Sequence, residues 1–234
     1  MKWYYFYTKD YEFWHNHLSS ILDKHYEINP ILMDDLPINK KLGQHHLAGN
    51  TQKIELIVDC IQKNLGNKII FTDCTIFINK NNLSKMNEYI TDLTKKYYDL
   101  VFASGIILKY NICFSLINCN EITLNFFKDI INIIKNNQFT KLLDENVTND
   151  LLLSKYKDIK CTTFDKQILL CDLICENDNF CMYKQHICPT NKVINWNARI
   201  KMLYLNNLIS LDEYNKNILE YDIFEYKLIH YLMF

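Results

Sequence analysis

Lys68-Ile-Ile-Phe-Thr-Asp-Cys-Thr-Ile-Phe-Ile-Asn-Lys80 is the stretch that decides the fold. Ile69, Ile70 and Phe71 make an apolar, β-branched and aromatic run, the composition of a strand whose sheet is covered on both faces. The run passes straight into a polar pair, Asp73 and Thr75. Strand side chains alternate, so the two are expected on the same side. In open α/β sheets the ligand crevice lies outside the carboxyl ends of the strands, where an Asp reaches a divalent cation or a sugar hydroxyl. An Asp in this position also caps strand exits and opens turns, and the elements around it decide between the two readings.

Those elements alternate. Upstream, residues 3–8 predict a strand, 11–22 a helix and 28–33 a short strand interrupted by Pro30. A polar loop with Gly43, His45, His46 and Gly49 leads into an amphipathic helix over 51–64, with Ile54, Ile57, Val58 and Ile61 at helical spacing. Downstream come a helix near 83–93, strands at 99–104 and 112–117, a long helix over 121–136 and a shorter one over 149–157. Strands separated by helices of about ten to fifteen residues predict a mainly parallel sheet covered on both faces. After Pro189 the pattern is helical to the end.

With 234 residues and 49% hydrophobic content the chain can bury one large core. The division expected is a domain over 1–205 and a helical C-terminal extension over 206–234 that packs on it or serves a homo-oligomer contact. The net charge is -1 and Arg199 is the lone Arg, which leaves no electrostatic footprint for nucleic acid or an anionic membrane. The first residues lack a basic leader, and no run of about 18 apolar residues follows, so a soluble, unexported protein is expected. The nine cysteines are scattered, as free thiols in a reducing compartment are. Cys171, Cys175, Cys181, His186 and Cys188 cluster in sequence, but their spacings are looser than the knuckles that hold zinc.

Several short motifs follow one another in order. Tyr7-Thr8 ends the first strand, and Lys53 opens a helix before the strand that ends in Asp73-Cys74-Thr75. Phe102-Ala103-Ser104-Gly105 and the strand from Asn111 to Asn120 come next, then Phe126-Phe127, a helix start at Asn149-Asp150, and a late His186 followed by Lys201. In this order they resemble the nucleotide-diphospho-sugar transferases of the GT-A glycosyltransferase fold, of the kind found in large DNA viruses and bacteria. The resemblance spans about residues 1–205 and rests on order, since each motif is short. Cys113 stands where the family has Gly.

The resemblance implies a Rossmann-like α/β domain with a mixed, mainly parallel sheet. It also implies transfer of a sugar from a nucleotide diphosphate sugar to a glycan, glycoprotein or other hydroxyl acceptor, in the cytoplasm (that of the host if viral). A leaving diphosphate gains charge in the transition state and needs a cation. The family supplies Mn²⁺ or Mg²⁺, which would be held here by Asp73, Thr75 and His186. Thr75 replaces a second carboxylate, and a neutral hydroxyl is a poor ligand for a hard dication, so metal is expected to arrive with the donor. Tyr7 and Thr8 match the place that receives the base, although Tyr7 fits a core position equally well. Lys53 and Lys201 match phosphate or ribose contacts or surface lysines, and Asp73 could also hold the ribose. Asp150 matches the acceptor side, where a carboxylate takes the hydroxyl proton, or is a plain helix N-terminal acid. The loss of the second carboxylate also fits a degenerate, non-catalytic member that binds a nucleotide sugar or glycan as a partner protein.

Overall fold

A computed structural model describes residues 1–22, 24–33, 42–105, 108–136, 144–172, 180–185, 200–205 and 207–217. In chain order the elements are β1 (Lys2–Tyr7), α1 (Glu12–Leu22), β2 (Glu27–Leu32), α2 (Leu42–Lys63), β3 (Lys68–Asp73), β4 (Ile76–Ile78), α3 (Leu83–Lys95), β5 (Leu100–Ser104) and β6 (Tyr110–Asn118). They continue with α4 (Glu121–Asn136), α5 (Asp144–Ser154), β7 (Cys161–Thr163), β8 (Leu169–Asp172) and β9 (Met182–Gln185). Residues 200–205 and Leu211–Asn217 are also helical.

The main sheet runs β2-β1-β3-β6-β5-β7. Every neighbouring pair is parallel except those made by β6, which is antiparallel to both β3 and β5. The expected mixed, mainly parallel sheet is therefore present. Pro30 lies in β2, at one edge of that sheet, where a residue without an N–H costs no ladder bond. A second sheet, β4-β9-β8, is built from strands of three or four residues, too short to carry a periodicity in the sequence.

Side-chain alternation along β1 and β3 sends residues to two cores, one on each face. Trp3, Tyr5 and Ile70 meet Leu18, Ile21 and Leu22 of α1 and Met86 and Ile90 of α3. Tyr4, Ile69 and Phe71 meet Ile54, Ile57 and Ile61 of α2 and Phe126, Phe127 and Ile130 of α4. Burying each such side chain contributes roughly 1.5–3 kcal/mol, so the helices are seated by their apolar faces. Local bonds set where those faces begin and end. Asn64 donates from Nδ2 to the Cys60 carbonyl (2.7 Å) and to the Tyr4 hydroxyl (2.9 Å). Gly66, at φ 83, then turns the chain into β3. At α4, Asn120 and Thr123 each accept from the other's backbone N–H, at 2.9 and 3.1 Å, a reciprocal cap.

The described cysteines Cys60, Cys74, Cys113, Cys119, Cys161 and Cys181 are free, and all but Cys161 are buried. Burial pushes the thiols of Cys60, Cys119 and Cys161 up to about 12, which keeps them protonated and inert. Of the loose Cys/His cluster, Cys175, His186 and Cys188 lie outside the described residues. Among the described residues no helix is long and apolar enough to cross a membrane.

His17 on α1 is buried and its Nε2 has no hydrogen-bond partner among the described residues. Burial first, and the nearby Lys80 ammonium second, lower its pKa from 6.5 to about 4. The unfolded chain therefore binds the proton more readily than the folded one, and stability is lost as pH falls from about 6.5 towards 4. The full shift corresponds to about 3 kcal/mol before solvent screening reduces it. Chemical denaturation at pH 7 and pH 4.5 should show His17→Gln losing less stability on acidification than the parent chain. Equal losses would show that His17 does not titrate in this window.

Candidate functional site

The carboxyl ends of β1 and β3 lie side by side, with Phe6 paired to Asp73. Beyond Asp73 the chain turns at Cys74 and Thr75 into β4. Strand alternation therefore stops at Asp73, and the expectation that Asp73 and Thr75 share a strand face is corrected: Thr75 is half-buried in a turn.

Asp73 points to the α2 face of the sheet, where it meets Lys53. The structure also corrects the position of this lysine. The helix runs from Leu42, through the segment expected to be a polar loop, so Lys53 sits in mid-helix and not at the start of its own helix. Gly43 and Gly49 are tolerated at a cost of about 1 kcal/mol each. Lys53 is in register with the buried stripe of Ile54, Ile57, Cys60 and Ile61, and is itself 7% exposed. Its Nζ lies 3.0 Å from Asp144 Oδ2 and 3.7 Å from Asp73 Oδ1. Burial pulls the ammonium's pKa down. Asp144 and then Asp73 more than offset this and hold it above its ordinary value. The lysine is charged, and these three described groups, one ammonium and two carboxylates, sum to a net negative charge. Asp73, with its side chain 22% exposed, is the carboxylate that reaches solvent, whereas that of Asp144 is 5% exposed.

Asp144 is the site residue that the sequence reading missed. It stands in the first turn of α5, which begins five residues earlier than expected. Asn149, expected at the helix start, instead lies inside the helix. Its amide accepts from the Tyr110 N–H (3.1 Å) and donates to the Tyr110 carbonyl (2.9 Å), tying α5 to the start of β6. This brings Asp144 to Lys53. A usable signal was present: a lysine within an apolar helical stripe needs an acid, and Asp144-Glu145 precede an apolar run. Gly105, just after β5, has no room for a side chain, since a Cβ there would fall 2.0 Å from the Leu108 carbonyl oxygen.

The other expected residues are dispersed. Asp150 does not open a helix; it is exposed on α5, while Asp144, Val147, Thr148, Leu151 and Leu152 of the same helix are buried. Its carboxylate therefore faces away from Lys53. Tyr7 stacks on His15 of α1, with ring centroids 4.2 Å apart and 5° between planes. Thr8 follows at the strand end, and its carbonyl accepts from Tyr11 N–H at 2.8 Å. Lys201 is half-buried in the helical stretch whose Met202 and Leu205 pack on Phe77 of β4. His186 lies outside the described residues.

The donor set offers a dication one carboxylate, Asp73, and one neutral hydroxyl, Thr75, with the Lys53 ammonium 3.7 Å from that carboxylate. Among the described residues no group of three His, Cys, Asp or Glu side chains is placed to hold a metal. These described residues do not fit a resident ion held by protein alone.

Two substitutions check the cluster. Lys53→Met leaves Asp144 buried without its cation and is expected to lower stability by about 3–5 kcal/mol. Adding Asp144→Asn should recover part of that loss. A cost below about 1 kcal/mol for Lys53→Met, read from denaturant midpoints, would show that the pair is not formed.

No protein-family model and no curated protein matches this sequence. Solved structures do match. A glycosyltransferase involved in the glycosylation of the major capsid of PBCV-1 superposes with a TM-score of 0.54 at 12% identity, over 81% of this chain and 94% of that one. The galactosyltransferase LgtC, solved with donor and acceptor sugar analogues, superposes with a TM-score of 0.53 at 8% identity, over 93% of this chain and 100% of that one. With the β6 reversal and the acidic end of β3 at the strand termini, the chain has the GT-A-like fold of these glycosyltransferases.

Proposed function

We propose that the chain binds a nucleotide diphosphate sugar across the carboxyl ends of β1 and β3 and transfers the sugar to a hydroxyl of a glycan or glycoprotein. The observation that carries this reading is the Lys53 ammonium held between Asp73 and Asp144 at the ligand end of a glycosyltransferase-like sheet. Sugar hydroxyls are hydrogen-bond donors, and a carboxylate fixed by an ion pair accepts from them without losing side-chain freedom on binding. Asp73 is the partly exposed acceptor, Lys53 fixes its orientation, and Asp144 holds Lys53.

The cluster's net negative charge repels a diphosphate that comes alone. Mn²⁺ or Mg²⁺ bound to the diphosphate would reverse that sign and stabilise the leaving group. Asp73 and Thr75 are the described residues that would meet it, with His186 as a further candidate. Asp150 is a candidate base only for an acceptor lying over the outer side of α5. The neutral Thr75 favours one second reading, a non-catalytic member that binds the donor or a glycan as a partner. Release of free sugar and nucleoside diphosphate from the donor in water separates the two, since only a catalyst speeds cleavage of the bond between the anomeric carbon and the diphosphate.

Thermal unfolding across a panel of nucleotide sugars tests the reading. A donor with Mn²⁺ at 100 times its Kd should stabilise the chain by about 2.7 kcal/mol, and Asp73→Asn, which leaves Lys53 paired to Asp144, should abolish that gain relative to its own unliganded midpoint. Stabilisation that survives in Asp73→Asn would place the donor elsewhere. In the absence of nucleotide, Thr75→Asp should tighten Mn²⁺ binding by about tenfold or more by adding a charged ligand. Stoichiometric, tight Mn²⁺ on the nucleotide-free parent chain would contradict the metal assignment.

A further inference from the structure

On the opposite face of the sheet from Lys53, at the same end, α1 and β1 build a polar network around the buried hydroxyl of Tyr5, separate from the Lys53 cluster. Tyr5 Oη lies 2.9 Å from His15 Nδ1 and 2.8 Å from Ser19 Oγ, and Ser19 Oγ lies 3.4 Å from the same Nδ1. Tyr5 is fully buried, and burial raises its pKa above 10, so the phenol keeps its proton. A phenol is a stronger donor than an aliphatic hydroxyl. It therefore gives its hydrogen to Nδ1 and accepts the one from Ser19, which leaves the imidazole proton on Nε2. That Nε2 makes no hydrogen bond to a described residue. The same ring stacks flat on Tyr7, one residue beyond the row that pairs Phe6 with Asp73.

We propose that His15 reads the base of the donor: the Tyr7–His15 stack forms the wall, and the Nε2–H donates to a base carbonyl. A fixed donor selects bases that present a carbonyl, such as uracil and guanine, over adenine, which presents an amino group. The assignment rests on the proposed donor site, because the stack and Asp73 flank the same strand ends and a nucleotide across them would place its base on the α1 side and its diphosphate on the α2 side.

Calorimetric titration of UDP, GDP and ADP, each with Mn²⁺, tests it on the intact chain. UDP or GDP should bind at least tenfold tighter than ADP. His15→Phe keeps a stacking ring but loses the donor, and should bring that ratio to within about threefold of unity. Tyr5→Phe releases Nδ1 without touching the ligand and should lower the ratio as well, with little change in ADP affinity. Equal binding of all three by the parent chain, or a ratio unchanged in both variants, would overturn the role of His15 while leaving the donor site standing. Failure of the parent chain to bind any of the three would overturn both.

Discussion

A lysine ammonium buried in an apolar helix face is the constraint on which the site depends. Lys53 is 7% exposed, and an unpaired charge there would cost several kcal/mol. Two carboxylates from two other elements must come to it, Asp73 from the end of β3 and Asp144 from the first turn of α5. The pair of bonds therefore joins α2, β3 and α5 at a single point, at the end of the sheet where α/β proteins receive ligands. Asn149 supports this from behind by closing α5 onto Tyr110 of β6.

The reversal of β6 matters for the same reason. Because β6 enters the sheet at the carboxyl ends of β3 and β5, its first residues, Tyr110 and Asn111, lie at the end of the sheet that holds Asp73. The two faces then contribute differently. The α2 side supplies charge, whereas the α1 side supplies aromatic rings and a hydrogen-bonded imidazole. The proposed nucleotide sugar donor has the same division, a charged diphosphate at one end of the nucleoside and a flat base at the other.

Much of this was legible in the sequence. Periodicity located the helix over 121–136 and the strands around Phe71 and Phe102, and the apolar run into Asp73 is the strand β3 that ends at that residue. The misreadings have physical causes. Thr75 was assigned a strand face, but the chain turns after Asp73, and a turn has no alternation. Residues 42–50 read as loop because Gly43, Gly49 and two histidines have weak helix propensity, yet they continue α2, which moved Lys53 from helix start to mid-helix. The apolar run after Asn149 resembles the beginning of a helix rather than its second half, which places Asp150 at a helix start and passes over Asp144. Strands β4, β7, β8 and β9 hold only three or four residues each, and pairing rather than composition defines them.

The most direct measurement is a crystal structure of the chain with a nucleoside diphosphate and Mn²⁺. The account requires the diphosphate at the carboxyl ends of β1 and β3, with the ion within ligand distance of Asp73 and the base on the Tyr7–His15 side. Diphosphate density at the opposite end of the sheet, for instance in the polar pocket of about 260 Å³ lined by His25, Tyr26 and Asn87, would contradict it.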